Sequence, residues 1–370
     1  MAGIRTVSRP DVDEVIFISD VHFDKKRTSL EWNQNIVEYF DNFFIPLIRK
    51  EMTKGRRPVV VFAGDYFDNR QTVDIDVMNK AADVMIRIAS VCSVYVMIGN
   101  HDIYKKTDTS ITTLRVIENF KNVDLIRDRM VLSIKNDRTF MLNSWIGDCT
   151  KESKLIQKYK DKYDFLVFHT EISGMSYDNG RQITNGINLS TVGDDCRILS
   201  GHIHKRQESK KALYFGSPYE ITIEDMGNVK GIYTFYVNDD NEIIREFHEN
   251  TYSPKQLIVE YNDYGKELEK WKFIENNYVK IYFEPGQFKK VNVNKLSDDL
   301  QTFNPRKLEF IEKKREKLEK EVKQVAKDAT IYDIFEEKVS ARENMTDDTK
   351  NELMKINKEY IKRAEEELAQ

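Results

Sequence analysis

Val15-Ile16-Phe17-Ile18-Ser19-Asp20-Val21-His22 is a β-branched, apolar run that ends on a carboxylate and an imidazole two residues apart. The run reads as a buried strand, and its polar end marks a place where charged groups face a ligand instead of the core. The same arrangement recurs along the chain. VVVFA at 59–63 leads into Gly64-Asp65 with Asp68, VYVMI at 94–98 into Gly99-Asn100-His101-Asp102, FLVF at 165–168 into His169, and RILS at 197–200 into Gly201-His202-Ile203-His204. Five of the six histidines fall in these blocks. A lone strand-end histidine such as His169 is ordinarily a satisfied core or surface residue, and Gly64-Asp65 alone is an ordinary turn. The joint pattern overturns both readings and points to a metal site.

Helical periodicity fills the gaps between the first strands. Trp32, Ile36, Phe40, Phe43, Phe44, Leu47 and Ile48 recur at three and four, as do Ile75, Met78, Ala82, Met85, Ile86 and Ala89. The pattern predicts a third helix over 110–120, with Ile111, Leu114, Ile117 and Phe120 inward. Strand and helix in alternation imply right-handed crossovers and a largely parallel first sheet, hence an α/β fold. From about 124 onward, short runs such as MVLSI, TFMLN, ALYFG, GIYTFYV and EIIREF are separated by turn signals and predict a second, mixed or antiparallel sheet. QLIVEY, KELEKWKFIE and YVKIYF make 255–304 a small α+β unit. After Pro305 the composition turns to Lys and Glu with sparse aliphatics. Leu308, Ile311, Leu318, Val322 and Val325 then mark one helix, Ile331, Ile334, Phe335 and Val339 a second, and Leu353, Ile356, Tyr360, Ala364 and Leu368 a third, capped by Thr346 or Asp347. The organisation expected is 1–254, 255–304 and 305–370.

A chain of 370 residues is long enough for two or three domains and needs no small-protein staples. Its three cysteines, Cys92, Cys149 and Cys196, have no CxxC spacing, which argues against a disulfide framework or zinc ribbon and for a reducing compartment. Cys92 and Cys196 flank strand-like runs and read as core thiols. No apolar stretch approaches the roughly 20 residues of a membrane span, so the chain is expected to be soluble and intracellular. A net charge of −4 with 32% charged residues neither indicates nor excludes nucleic acid. Lys25-Lys26-Arg27, three residues past the Asp20/His22 pair, is nevertheless placed to touch a phosphate backbone.

In an open α/β sheet, ligand-binding groups gather beyond the carboxyl ends of the strands, where every block falls. Asp20 and His22 are two apart, as are His202 and His204, so where the backbone stays extended each pair projects from one face. Imidazoles, carboxylates and an amide oxygen form a mixed donor set suited to Mn, Fe or Zn more than to Ca or Mg. Seven candidates (Asp20, His22, Asp65, Asn100, His169, His202 and His204) are too many for one tetrahedral ion, which implies two. A pair of ions generates a nucleophile from water and stabilises an in-line phosphoryl displacement. His101, beside Asn100, is the candidate group that protonates or stabilises the leaving oxygen, with Asp102 as the carboxylate that orients it. Asp68 is expected to support its loop, and His248, outside every block, to be structural.

With D-x-H at 20, G-D-x-x-D at 64, G-N-H-D at 99, a lone His169 and G-H-x-H at 201, the chain resembles the calcineurin-like metallophosphoesterases over just over half its length. Within them GDYFDNR at 64–70, GNHDIYKKTDTS at 99–110, Gly216-Ser217-Pro218 and Lys230-Gly231-Ile232-Tyr233 are similar to the SbcD-like nuclease subunit of double-strand-break repair, particularly the T-even-like phage type. Ser/Thr phosphatases would carry D-R-G where this chain reads Asp68-Asn69-Arg70. The resemblance implies that Asp20, His22 and His204 hold one metal, that Asn100, His169 and His202 hold the other, and that Asp65 bridges them. It further implies His101 as the non-ligand catalyst and two manganese ions, with magnesium as a substitute. The fold implied is a four-layer α/β/β/α sandwich with a small DNA-capping domain near 255–304. C-terminal helices would dock on an SMC-like coiled-coil ATPase, and the helices near 74–90 and 108–121 would make a homodimer within a heterotetramer. The activity implied is a DNA nuclease for recombination and end repair, exonucleolytic (3′-5′) on double strands and endonucleolytic on single strands, in the cytoplasm of the host if phage-encoded. A metallophosphoesterase on a small phosphoester or phosphoprotein, or a scaffold that mainly tethers DNA and its ATPase, are the competing readings.

Overall fold

The computed structural model describes residues 4–25, 30–106, 108–192, 198–264, 267–313, 339 and 346–368. Met1–Glu312 forms one compact unit and Lys313–Gln370 a second.

Two sheets build the first unit. One has six strands in the order Ile243–Glu249, Gly231–Val237, Glu14–Ile18, Pro58–Ala63, Val94–Met97, Val123–Ile126. Its last four strands run parallel, and Gly231–Val237 pairs antiparallel on either side. The other has seven: Arg5–Ser8, Arg129–Ile134, Arg138–Asn143, Phe165–His169, Ile198–Gly201, Ala212–Tyr214 and the short edge Gln207–Glu208. It is mixed, with parallel pairs at its centre.

The side-chain period of two sorts the strand residues into three cores. Val15, Phe17, Val59 and Val61 of the first sheet meet Leu132, Phe140, Val167 and Leu199 of the second in the layer between the sheets. Their neighbours Ile16, Ile18, Val60 and Phe62 face the opposite way, onto the helices Leu30–Tyr39, Ile45–Thr53 and Ile75–Ala89. Val131, Met141, Leu166, Phe168 and Ile198 face outward from the second sheet onto the helix Cys149–Tyr159 and the loop after His169. The result is four layers, α/β/β/α, as expected. Nearly continuous apolar runs are what a strand buried on both faces requires.

One expected helix is not formed, and the described beginning of another is a strand. Residues 103–112 make a hairpin (Ile103–Lys105 with Asp108–Thr112) followed by a single 3-10 turn, Thr113–Val116. The Thr112 hydroxyl donates to the Asp102 carbonyl at 2.7 Å and accepts from Leu114 N at 3.2 Å, a local bond that competes with helix. Leu114 and Ile117 are still buried, but Ile111 is 57% exposed. Lys307–Glu312, where Leu308 and Ile311 were read as helical, is instead a strand. It runs parallel to Tyr278–Phe283, which pairs on its other side with Gln256–Glu260. KLEFIE alternates charged and apolar residues, and Leu308 and Phe310 pack on the cluster of Val279, Ile281, Phe283 and the fully buried Trp271. The small sheet therefore extends to Glu312 and not to 304. It rests on the helix Leu30–Tyr39, where Tyr278 bonds Asn35 and Arg306 pairs with Glu38 at 3.1 Å.

In the second unit, Asp347–Leu368 is helical and Thr346 accepts from Thr349 N at 3.3 Å, which makes Thr346 the cap. The segments read as helices near Leu318–Val325 and 331–341 lie outside the described residues, except Val339. The same holds for Cys196 and for Lys26 and Arg27. Among the described residues no helix is long and apolar enough to cross a membrane.

Candidate metal centre

Every strand-end block delivers its polar residues to one place, though not through extended backbone. Asp20, His22, Asp65 and His202 have φ of 57°, 53°, 55° and 88°, a left-handed region that non-glycine residues rarely enter. The chain turns sharply as it leaves the first, second and fifth of these strands, and these turns aim the side chains at a common point. The loops hold one another. Asp20 N donates to Gly64 O and His22 N to Asp65 O, both at 3.1 Å. His202 N donates to the Asp20 carboxylate at 3.2 Å, and His101 N to Asp65 Oδ1 at 2.8 Å. Gly64 is required where it stands: its φ is 98°, and a Cβ there would lie 2.3 Å from His169 Nδ1.

The candidates sort into two sets around Asp65. Asp20, His22 and His204 form one group with donor atoms within 4.8 Å of one another, and Asp65, His169 and His202 form another. Asn100 Oδ1 joins the second set, 2.8 Å from His202 Nδ1 and 3.0 Å from His169 Nε2. Asp65 Oδ2 lies between the sets, 3.1 Å from His169 Nε2 and 3.8 Å from His22 Nε2.

Each histidine has one nitrogen turned inward and one held from outside. His22 Nδ1 lies 2.9 Å from Asp68 Oδ1, and His169 Nδ1 is 2.8 Å from the Ala63 carbonyl. Glu171 Oε1 is 3.6 Å from His202 Nε2, and Asp178 Oδ2 is 3.7 Å from His204 Nδ1. An oxygen bonded to the outer nitrogen, as Ala63 O is to His169, keeps the proton there and leaves the inner lone pair free, and the carboxylates of Asp68, Glu171 and Asp178 bias the other rings the same way by charge. The inner Nε2 atoms of His22 and His204 then face each other at 3.1 Å. Two lone pairs at that distance repel unless a cation lies between them, so the donors fit a bound divalent metal.

The electrostatics mark a site that attracts positive charge, where His169 gives up a proton before its inner nitrogen can donate. Burial raises the Asp65 carboxyl, but His169, His101 and His22 around it win and hold it well below the usual range. Burial also opposes the charged form of His169, yet Asp65 and Asp20 raise it to about 9. His204 is driven well down by burial, then by His22, Lys230 and Lys25, which keeps it a neutral donor. Asp68, half-buried, is pushed up by burial but drawn down to about 2 by His22 and Lys25, whose ammonium is 2.9 Å away.

His101 joins neither of these two sets. Its Nδ1 is bonded to the Asp68 backbone carbonyl at 2.6 Å, and its ring stands edge-on to His22 at 5.0 Å. It is partly exposed at the rim, and burial lowers its pKa against the pull of Asp65. Asp102 does not orient it. The Asp102 carboxylate is fully buried and accepts from Asp65 N at 2.9 Å, Phe67 N at 2.9 Å and Gly99 N at 2.8 Å. With all its bonds taken by backbone it ties the second block to the third, and burial followed by Asp65 raises it to about 7. The orienting role belongs to the Asp68 carbonyl. His248 lies elsewhere, bonded to Thr234 at 3.0 Å and near Glu51 and Glu246.

Sequence reasoning missed the outer groups. Glu171 and Asp178 lie in a loop with no motif. Asp225 and the buried Lys230, which holds the His204 carbonyl at 2.7 Å, come from outside the five blocks. Trp145, whose ring packs 5.3 Å from His202, had no signal at all.

The sequence profile for calcineurin-like phosphoesterases matches residues 14–206, all the blocks included. Protein 078R of Invertebrate iridescent virus 3, named as a phosphoesterase, is 26% identical over 57% of this chain and 58% of its own. Protein 244L of Invertebrate iridescent virus 6, likewise named, is 23% identical over 55% of this chain and 68% of its own. Exonuclease subunit 1 of Enterobacteria phage T4 is 21% identical over 54% of this chain and 60% of its own. The match thus spans little more than half the length of the first of these relatives.

Proposed function

The chain belongs to the calcineurin-like phosphoesterase family, and from that premise we propose that it is a two-metal DNA nuclease that trims double-stranded ends and cuts single strands. The observation that carries the reading is the position of Asp65 Oδ2 between two donor sets, with His101 at their rim. Asp20, His22 and His204 would hold one ion, Asn100, His169 and His202 the other, and Asp65 both. Manganese suits this mixed donor set, with magnesium as a weaker substitute. When bound, such a pair supplies a nucleophile from water and charge stabilisation for phosphoryl displacement. The protein's own contribution is to fix the donors and to set His101 Nε2 where a leaving oxygen would emerge, its Nδ1 anchored on Asp68.

Two features favour DNA over a small phosphoester. One is the similarity to the phage exonuclease subunit. The other is a cleft of about 660 Å³ that runs from Lys25 beside the site to Lys280 and Lys307 on the small sheet. Three lysines line this strip against two glutamates, Glu31 and Glu309, with Glu309 3.7 and 2.6 Å from Lys280 and Lys307, and such lysines suit a phosphate backbone. By the same reading the strip gives 255–312 the role of a DNA cap, the C-terminal helix serves an SMC-like ATPase, and two copies pair through the exposed side of Ile75–Ala89, where Ile75 and Ile86 are solvent-facing.

The purified chain with Mn²⁺ should degrade linear duplex and nick single-stranded circles, and chelation should abolish both. Rapid hydrolysis of a nitrophenyl phosphomonoester with no cleavage of DNA would replace this reading with a small-molecule phosphatase.

A further inference from the structure

Residues 170–192, which follow His169, fold back upon themselves. Ile172 and Ile187 bridge in parallel, Ser176 and Gln182 antiparallel, and Ile172, Met175, Ile183 and Ile187 are buried in the outer core. Gln207, three residues past His204, clamps this loop by a pair of hydrogen bonds, with Ser176 N donating to Oε1 at 2.9 Å and Nε2 donating to Ser176 O at 2.7 Å. Two carboxylates on this loop share one design. Glu171 anchors Oε2 on the Tyr177 hydroxyl at 3.0 Å and aims Oε1 at His202 Nε2. Asp178 anchors Oδ1 on Lys205 N at 2.8 Å and aims Oδ2 at His204 Nδ1. The other carboxylate near His204, Asp225, is taken up by Lys230 and by the amides of Ile221 and Thr222.

We propose that Glu171 and Asp178 are positioning residues, through which one rigid loop sets the ring orientation and donor strength of both histidines of the G-H-x-H block, and so the affinity of both metal sites. His202 and His204 belong to different donor sets, so one loop reaches both ions. The carboxylates act from behind the rings and touch neither substrate nor metal. A partner of this kind raises ligand basicity, and its loss typically weakens metal binding by about 10- to 100-fold.

The inference rests on the two-metal reading, and Mn²⁺ titration of the full chain by calorimetry separates the two. Wild type should bind two Mn²⁺; a failure to do so refutes the two-metal reading itself. If two bind, Glu171→Ala should weaken one site and Asp178→Ala the other, each by about tenfold or more. Glu171→Gln and Asp178→Asn, which keep an acceptor but lose the charge, should fall between. Tyr177→Phe should weaken the Glu171-dependent site alone. The metal-free melting temperature should be unchanged in Glu171→Gln, because that carboxylate is partly exposed. Two-ion binding with wild-type affinities in both alanine variants would overturn the assignment. So would a loss that tracks only with melting temperature.

Discussion

Asp65 combines a left-handed φ of 55° with full burial of an ionised carboxylate, two unfavourable states in one residue. Strained backbone of this kind costs on the order of 1–3 kcal/mol and persists only where the surroundings over-determine it. Here they do: Asp102 takes the Asp65 amide, His101 N takes Oδ1, and His169 faces Oδ2. The strain serves to put one oxygen between two donor sets. His101 has the opposite character, with a partly exposed ring that is bonded once and lies outside both of those sets. Replacing it should therefore separate binding from turnover. His101→Ala is expected to keep two bound Mn²⁺ while DNA cleavage falls by about 10²- to 10⁴-fold, the usual worth of a positioned acid or base. Asp65→Asn should instead lose metal along with activity. Cleavage by His101→Ala at the wild-type rate, in an assay matched for bound Mn²⁺, would remove His101 from the chemistry.

The helix Cys149–Tyr159 shows how an element carries a buried charge toward the site. Asp148 caps it by accepting from Thr150 N and Lys151 N, both at 3.0 Å, and one turn in, Glu152 is buried against Thr170, whose hydroxyl donates to it at 2.6 Å. Burial raises the Glu152 carboxyl to about 7, against the pull of Thr170. A folded-state pKa above the unfolded value means that the group's stabilising contribution is complete below about 4.5 and is lost as pH rises through 7. The shift is worth about 3 kcal/mol. Metal-free Glu152→Gln should thus gain on wild type by about that amount between roughly pH 5 and pH 8.5 in denaturant melts. A stability difference flat across that range would refute the shift. At this scale the sequence was legible where burial dictates pattern. Runs such as VVVFA can only be strands buried on both faces, and their polar ends had to converge. It misled at 110–120, where Thr112 bonds backbone, and at Lys307–Glu312, where a largely alternating strand resembles a sparse helix stripe. Glu171 and Asp178 were illegible because long-range bonds, such as Gln207 to Ser176, place them.

Across the whole molecule, every residue of the metal centre and of the lysine-lined cleft lies within Met1–Glu312, one compact unit with its own cores. The second unit contributes a helix, Asp347–Leu368, on which Ile356 is 45% exposed and charged residues surround a narrow aliphatic stripe. A helix with a thin stripe gains little from burial within itself and suits a groove on another chain. The two units should therefore separate by function. Removing residues 330–370 is expected to leave two-ion Mn²⁺ binding and cutting of single-stranded DNA unchanged, because no site residue is lost. Association should behave differently. The full chain should co-purify with an SMC-like ATPase encoded alongside it, and the truncated chain should not. Retained association after truncation would move the docking surface onto the first unit. Loss of metal binding on truncation would mean that the second unit supports the site, against the self-contained packing of Met1–Glu312.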